Sequence, residues 1–263
     1  MNDNGVLVQA HDLTMRFGGL VALDRLDMQV FKGEVLGLLG PNGSGKTTFF
    51  NVLTGLYRAS SGHVTLDGQE VVGKSPQEVY RMGVARTFQR SRLSLSLTVF
   101  DNIVIGDYQN MHRGIVFNLL RRRAFRQEYE RYVEKVRALL KIFSPALLDH
   151  LFEAVGTFTM IDRRRIEVCR ALIGDPSLLL LDEPSAGMTH DETAELMSDI
   201  LQVREKVTGL TVILIEHEMN VIERITDRCV VLNFGQKISE GTYAQITADP
   251  IVQTAYLGGE DDQ

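Results

Sequence analysis

The run Gly40-Pro41-Asn42-Gly43-Ser44-Gly45-Lys46-Thr47 fits G-x-x-x-x-G-K-[ST], the spacing of a phosphate-cradling loop. Its glycines let the backbone curl so that successive N–H groups point at phosphate oxygens, and a helix beginning at the loop's end adds favourable potential for an anion. Lys46 is placed to neutralise the β- and γ-phosphates, and Thr47 offers a hydroxyl to Mg²⁺. A second acidic centre follows Leu178–Leu181, where Asp182 and Glu183 emerge from four consecutive apolar residues. At the carboxyl end of a central strand, Asp182 would hold Mg²⁺ through water, and Glu183 would orient or deprotonate an attacking water. His217 ends a further apolar run, LTVILIEH, and could touch a γ-phosphate or that water from the far side.

These groups need a frame. LVQAHDLTMRF and LDMQVFKGEVLGLLG read as strands, with a turn at Lys32-Gly33 and a buried strand from Val35 to Leu39. FFNVLTGLY continues from the loop as a helix, and Asp67-Gly68 joins two short strands as a hairpin. From about Ser75 to Leu172 helical periodicity dominates. There Phe125, Tyr129, Tyr132, Val136, Leu139 and Phe143 share one face of a predicted helix, and SPALLDHL reads as a capped helix start. After Ile173 the chain alternates again: SLLLLDE as strand, about Thr189 to Lys206 as helix, LTVILIEH as strand, MNVIERIT as helix, then CVVLNF and KISEG as a β-pair. Alternation of this kind, with strands apolar on both faces, predicts a mainly parallel sheet carrying a helix-rich insertion.

Composition sets limits. The chain has 263 residues, 44% hydrophobic and 24% charged, with a net charge of -6 that gives no global basic footprint for nucleic acid. Cys169 and Cys229 have no paired spacing and read as two buried thiols. The start MNDNGVLVQ lacks the pattern of a signal peptide, and no apolar run approaches the roughly 20 residues that span a bilayer. The tail GGEDDQ reads as frayed.

In this order the motifs resemble the ATP-binding subunit of an ABC transporter over nearly the whole chain. The resemblance implies a single α/β domain with a P-loop NTPase (RecA-like) core, an N-terminal antiparallel β subdomain and an inserted α-helical subdomain. Core and β subdomain would occupy about 1–90 and 173–263, and the insertion 91–172. It implies Phe17 against adenine, Gly40, Asn42, Gly43, Ser44, Gly45, Lys46, Thr47 and Thr48 around the phosphates, and Gln89 as the Q-loop residue, assisting catalysis and the metal with Thr47 and Asp182. Glu183 completes the Walker B pair, Ser185-Ala186-Gly187 forms the D-loop, and His217 is the switch histidine. ARTFQRSRLSLSLTVFDNIVIG, EPSAGMT and the ending EGTYAQITADPIVQTAYLGGED are similar to importers of branched-chain amino acids and their urea and amide relatives; the ending is also similar to the ATPase of lipopolysaccharide export. An insert at roughly Tyr108 to Leu120 favours the amino-acid group. Its run Leu119-Leu120-Arg121-Arg122-Arg123 reads as a solvated helix face, with contact to lipid headgroups as the sharper alternative. ATP and Mg²⁺ would be the cofactors. The implied partners are transmembrane permease subunits, a second and different ATPase subunit, and indirectly an extracytoplasmic solute-binding protein, with no nucleic acid. The chain would sit in the cytoplasm on the inner face of the membrane through the permease.

One motif departs. Counting back without gaps from Arg164-Arg165-Ile166-Glu167, the family's signature Leu-Ser-x-Gly-Gln falls on Phe158-Thr159-Met160-Ile161-Asp162, where only the hydroxyl at Thr159 remains. In the family this loop caps the ATP held on the facing subunit. Here Ile161 replaces a glycine that lets a backbone N–H approach the γ-phosphate, and Asp162 brings a negative charge while N-capping a helix expected to start at Arg163. The lender's half of the composite site reads as degenerate and the chain's own half as intact. Two further alternatives are an inactive regulatory half and a non-transport ATPase; Glu183 and His217 argue against the first, and the lack of tandem cassettes or long coiled coils against the second.

Overall fold

A computed structural model describes residues 5–89, 92–111 and 122–257. The chain divides into two compact units. The first comprises Met1–Arg86, Ser177–Pro184 and Val207–Gln263; the second comprises Thr87–Pro176 and Ser185–Lys206.

The first unit holds two sheets. Strands β1 (Val6–Phe17), β2 (Leu20–Phe31), β4 (Ser61–Leu66) and β5 (Gln69–Glu70) form an antiparallel sheet in the order β2-β1-β4-β5. The expected hairpin forms: Asp67 and Gly68 both take positive φ, 47° and 77°, between the paired residues Leu66 and Gln69. The other sheet runs β10-β9-β3-β8-β7-β6, with β3 (Val35–Leu39), β6 (Val84–Arg86), β7 (Leu178–Asp182), β8 (Thr211–Ile215) and β9 (Arg228–Asn233) parallel and β10 (Gln236–Gly241) antiparallel at one edge. Every residue of β3, β7 and β8 is buried, which is why VLGLL, LLLL and VILI show no polar alternation; the buried polar residues Asp182 and Thr211 stand at strand ends. Because β3, β8 and β7 are parallel neighbours, the loop after Leu39, the end of β7 at Asp182 and the end of β8 at Ile215 share one edge of the sheet; Asp182 pairs directly with Ile215. Helices α1 (Lys46–Leu53), α2 (Pro76–Arg81), α7 (Met219–Ile225), α8 (Tyr243–Ala248) and α9 (Pro250–Leu257) complete this unit among the described residues.

The edge strand β6 is absent from the sequence reading, which placed a helix-rich segment from about Ser75. The Ser75–Glu78 capping box does start a helix, but that helix stops at Arg81, and Val84–Arg86 then pairs with Leu178–Leu180. Three residues are too few to display a period.

The second unit contains α3 (Val99–Val104), α4 (Arg122–Phe143), α5 (Met160–Leu172) and α6 (His190–Lys206). The buried face of α4 is Tyr132, Val136, Leu140 and Phe143. Leu140 therefore replaces Leu139, which is half-buried, and Phe125 and Tyr129 lie exposed. Tyr132 donates from its hydroxyl to Asp107 Oδ2 at 2.8 Å, and burial with that carboxylate pushes its pKa up to about 12. SPALLDHL is not a capped helix: Pro145–His150 is a 3₁₀ turn, the Ser144 side chain makes no cap hydrogen bond, and its N–H closes α4 on Leu140 O. Most of the insert read at Tyr108–Leu120, the greater part of the Leu119–Arg123 run and the tail GGEDDQ lie outside the described residues. Among the described residues no helix is long and apolar enough to cross a membrane.

Candidate functional site

The loop from Gly40 to Gly45 links β3 to α1, and its glycines have separate reasons. At Gly40, φ is 139° and a Cβ would stand 2.1 Å from Leu232 O and 2.7 Å from Ser44 Oγ. At Gly45, the N-cap of α1 with φ 108°, a Cβ would meet Ala22 O at 2.6 Å. Gly43 faces open space, so only its φ of 77° calls for glycine. Lys46, the first residue of α1, folds back over the loop and donates from Nζ to Gly40 O at 2.6 Å and Pro41 O at 3.0 Å. Burial lowers the Lys46 pKa, while the nearby charges of Glu183 and Asp182 act in the opposite sense. Ser44 Oγ is buried with no hydrogen-bond partner. Asn42 and Thr47 are exposed and Thr48 is half-buried. The Gly40 N–H donates to the Tyr256 hydroxyl at 2.9 Å, tying α9 to the loop's first residue.

A triphosphate fits this cradle. An orphaned buried hydroxyl and a lysine held by loop carbonyls are groups that an anion would complete, in a turn whose close contacts at Gly40 and Gly45 leave no room for side chains there.

Asp182 ends β7 and is buried; its Oδ2 accepts from Arg86 Nη2 at 2.6 Å. Arg86, on β6, reaches in the other direction from Nη1 to Asn51 Oδ1 on α1 at 2.7 Å. Glu183 follows in the left-handed region, φ 48°, with its N–H donated to Ile215 O. Its carboxylate lies 2.7 Å from His217 Nε2, so the two groups are joined through Oε1. His217 does not end the strand as expected: β8 stops at Ile215 and the histidine stands in the following loop. Among the described residues no group of three or more His, Cys, Asp or Glu could hold a metal unaided. Mg²⁺ usually takes one or two protein ligands, several waters and phosphate oxygens, so a hydroxyl from Thr47 and a carboxylate from Asp182 suit it. Phe17, at the end of β1, is 42% exposed and packs edge-to-face against Tyr57, centroids 5.3 Å apart.

The first unit therefore contains Phe17, the loop residues Gly40–Thr48, Asp182, Glu183 and His217, while Gln89 belongs to the second. There the Gln89 carbonyl accepts from Arg164 Nη2 at 2.9 Å, and Arg164 pairs with Glu167 at 2.9 Å, both side chains buried. The FTMID stretch corrects one expectation. Thr159, not Asp162, is the N-cap: α5 starts at Met160, and the Thr159 hydroxyl accepts from the Asp162 N–H and donates to Asp162 Oδ2 at 2.7 Å. Asp162 is thus the third helical residue, 3.4 Å from Arg165 Nη1, and Ile161 is buried. Arg165 also binds Glu195 and Asp199 on α6. Ser185 O accepts from the Met188 N–H around Gly187, φ 81°.

Sequence reading missed Arg86 and Tyr256. Nothing in a three-residue strand flags the first, and the second sits in a tail whose approach to the loop is a tertiary fact.

The ABC transporter family pattern matches residues 23–186, and that of the branched-chain amino acid ATP-binding cassette transporter matches residues 236–262. The chain is 37% identical over 252 residues to the high-affinity branched-chain amino acid transport ATP-binding protein LivG of Escherichia coli K12, covering 96% of this chain and 98% of that protein. It is 36% identical over 252 residues to BraF of Pseudomonas aeruginosa, described in the same terms, with the same coverage. Among solved structures it resembles a nucleotide-free ATP-binding cassette from an ABC transporter, with TM-score 0.81 and 30% identity over 96% of this chain and 99% of that one. An ADP-bound cassette of an ABC transporter gives TM-score 0.82 and 28% identity over 97% and 99%.

Proposed function

The chain belongs to the ATP-binding family of ABC transporters and is an ATPase, and from that premise we propose that it powers an importer of branched-chain amino acids or related polar amino acids and amides. The carrying observation is the full-length likeness to branched-chain amino acid transport ATP-binding proteins, repeated independently by the C-terminal pattern at residues 236–262. It would act from the cytoplasmic face through transmembrane permease subunits, with an extracytoplasmic solute-binding protein supplying the solute.

Within the site, Phe17 would stack on adenine. The backbone of Gly40, Asn42, Gly43, Ser44, Gly45 and Thr48 would cradle the phosphates, and Lys46 would exchange its carbonyl partners for phosphate oxygens. Thr47 and Asp182, both in the first unit, would hold Mg²⁺, which when bound screens the β- and γ-phosphate charge. Glu183 would orient and deprotonate the attacking water. The 2.7 Å contact with His217 supports this by fixing the carboxylate's direction.

Phe158–Asp162 favours a division of labour. The chain supplies a complete phosphate loop and Walker B pair but lends its partner a signature without glycine or glutamine. A heterodimer with a different ATPase subunit leaves one composite site fully active, built from this chain's Lys46, Glu183 and His217. Two experiments test the reading. Deleting the subunit should abolish uptake of labelled leucine, isoleucine or valine in its host, and unchanged uptake would refute the solute assignment. Glu183→Gln should bind ATP but lose turnover by roughly 10²-fold or more; undiminished hydrolysis would remove Glu183 from its role.

A further inference from the structure

We propose that Arg86 is a positioning residue that fixes the spacing between Thr47 and Asp182, the Mg²⁺-holding residues of the first unit; the inference rests on the nucleotide-site reading above. The Arg86 guanidinium is buried and uses its two ends on two different elements. Nη2 holds Asp182 at the end of β7, 2.6 Å away, and Nη1 holds Asn51 on α1, 2.7 Å away. Asn51 lies four residues after Thr47 on the same helix, and so one turn along the same face. The planar guanidinium is thus a rigid strut from the helix that carries one ligand to the strand that carries the other.

Three features favour a strut over a simple buried ion pair. Arg86 is anchored by strand pairing, opposite Leu180 in the β6–β7 register, so its backbone is fixed two residues upstream of the carboxylate it binds. Its guanidinium carbon stands 5.3 Å from the Phe50 ring centroid, which limits rotation about the fork. A lysine could satisfy Asp182 or Asn51 but has no fork to span both. Partners that orient a metal's ligands commonly govern metal affinity by about 10- to 100-fold. Mg²⁺ is the ion most sensitive to such a frame, because it demands near-octahedral geometry, whereas Ca²⁺ accepts a looser one.

The test uses the full chain carrying Glu183→Gln, with mant-ATP fluorescence read in EDTA, in Mg²⁺ and in Ca²⁺. Binding in EDTA reports the nucleotide-site reading by itself; only the metal-dependent increments report on Arg86. With Arg86→Gln added, the Mg²⁺ increment is expected to fall by roughly tenfold, with affinity in EDTA unchanged and the Ca²⁺ increment much less affected. Asn51→Ala cuts one arm and keeps the Asp182 pair, so it should shift the Mg²⁺ increment in the same direction by a smaller factor. It decides the matter if Arg86→Gln does not fold. Arg86→Lys should not restore the Mg²⁺ increment fully. An unchanged Mg²⁺ increment in both variants overturns the proposal. So do equal losses with Mg²⁺ and Ca²⁺, which would mean charge rather than spacing, and a stronger Mg²⁺ increment, which would mean that Arg86 competes with the metal.

Discussion

Asp162→Gln tests the physical basis of the proposed division of labour. If Asp162 approaches a triphosphate held by a facing subunit to about 4 Å, each unit-charge pair repels by roughly 4 kcal/mol at an effective dielectric near 20. Arg165, 3.4 Å from the Asp162 carboxylate, offsets part of this, but the same guanidinium also serves Glu195 and Asp199. One positive charge against three negative ones leaves most of the repulsion in place. A net penalty of about 2–4 kcal/mol per composite site follows, or roughly 30- to 1,000-fold in association. Folding confuses the result little. The lost ion pair is worth about 0–1 kcal/mol, and glutamine at the third helical position can still reciprocate the Thr159 cap. Ile161 is a poorer target because it is buried in the first turn of α5, and glycine there would cost about 3–5 kcal/mol of stability. Sedimentation of Glu183→Gln and Glu183→Gln/Asp162→Gln, with and without Mg-ATP, reads the effect. Self-association should strengthen only with nucleotide, and the gain should shrink in high salt. An identical dimerisation constant in the two variants, or a gain independent of ATP, would refute the electrostatic argument.

Three further outcomes are expected. Lys46→Ala should weaken ATP binding by about 2–4 kcal/mol, less than two full charged hydrogen bonds because Lys46 already donates to Gly40 O and Pro41 O; isothermal titration measures it. Arg165→Met should leave the Asp199 carboxylate buried without its partner and cost about 3–5 kcal/mol, read as a lowered urea midpoint. Neither Cys169 nor Cys229 should react with a thiol reagent until the chain is denatured, because burial removes both from solvent and pushes both thiols up.

The sequence disclosed what depends on long or stereotyped patterns. VLGLL, LLLL and VILI are apolar because both faces of their strands are covered, and the glycines at both ends of the phosphate loop follow from close contacts with Leu232 O and Ala22 O. It failed where tertiary structure overrules local signal. Ser144 looks like a cap but its side chain makes no cap bond and its N–H belongs to the end of α4, and Asp162 looks like a cap where Thr159, one turn earlier, does that work. Leu139 and Leu140 are equivalent in composition, and only packing selects Leu140. Arg86 reaches Asp182 across 96 residues of chain, from a strand too short to announce itself.

The central claim is that this chain hydrolyses ATP with its own Lys46, Glu183 and His217 but needs another subunit's signature loop. The most direct measurement is steady-state ATPase activity of the purified chain against its own concentration, with Glu183→Gln as the blank, before and after adding the second ATPase subunit. The account predicts a rate near the blank at every concentration of the chain alone, and activity that appears with one equivalent of the partner. A rate rising steeply with the chain's own concentration would show productive self-dimerisation despite FTMID and contradict the claim.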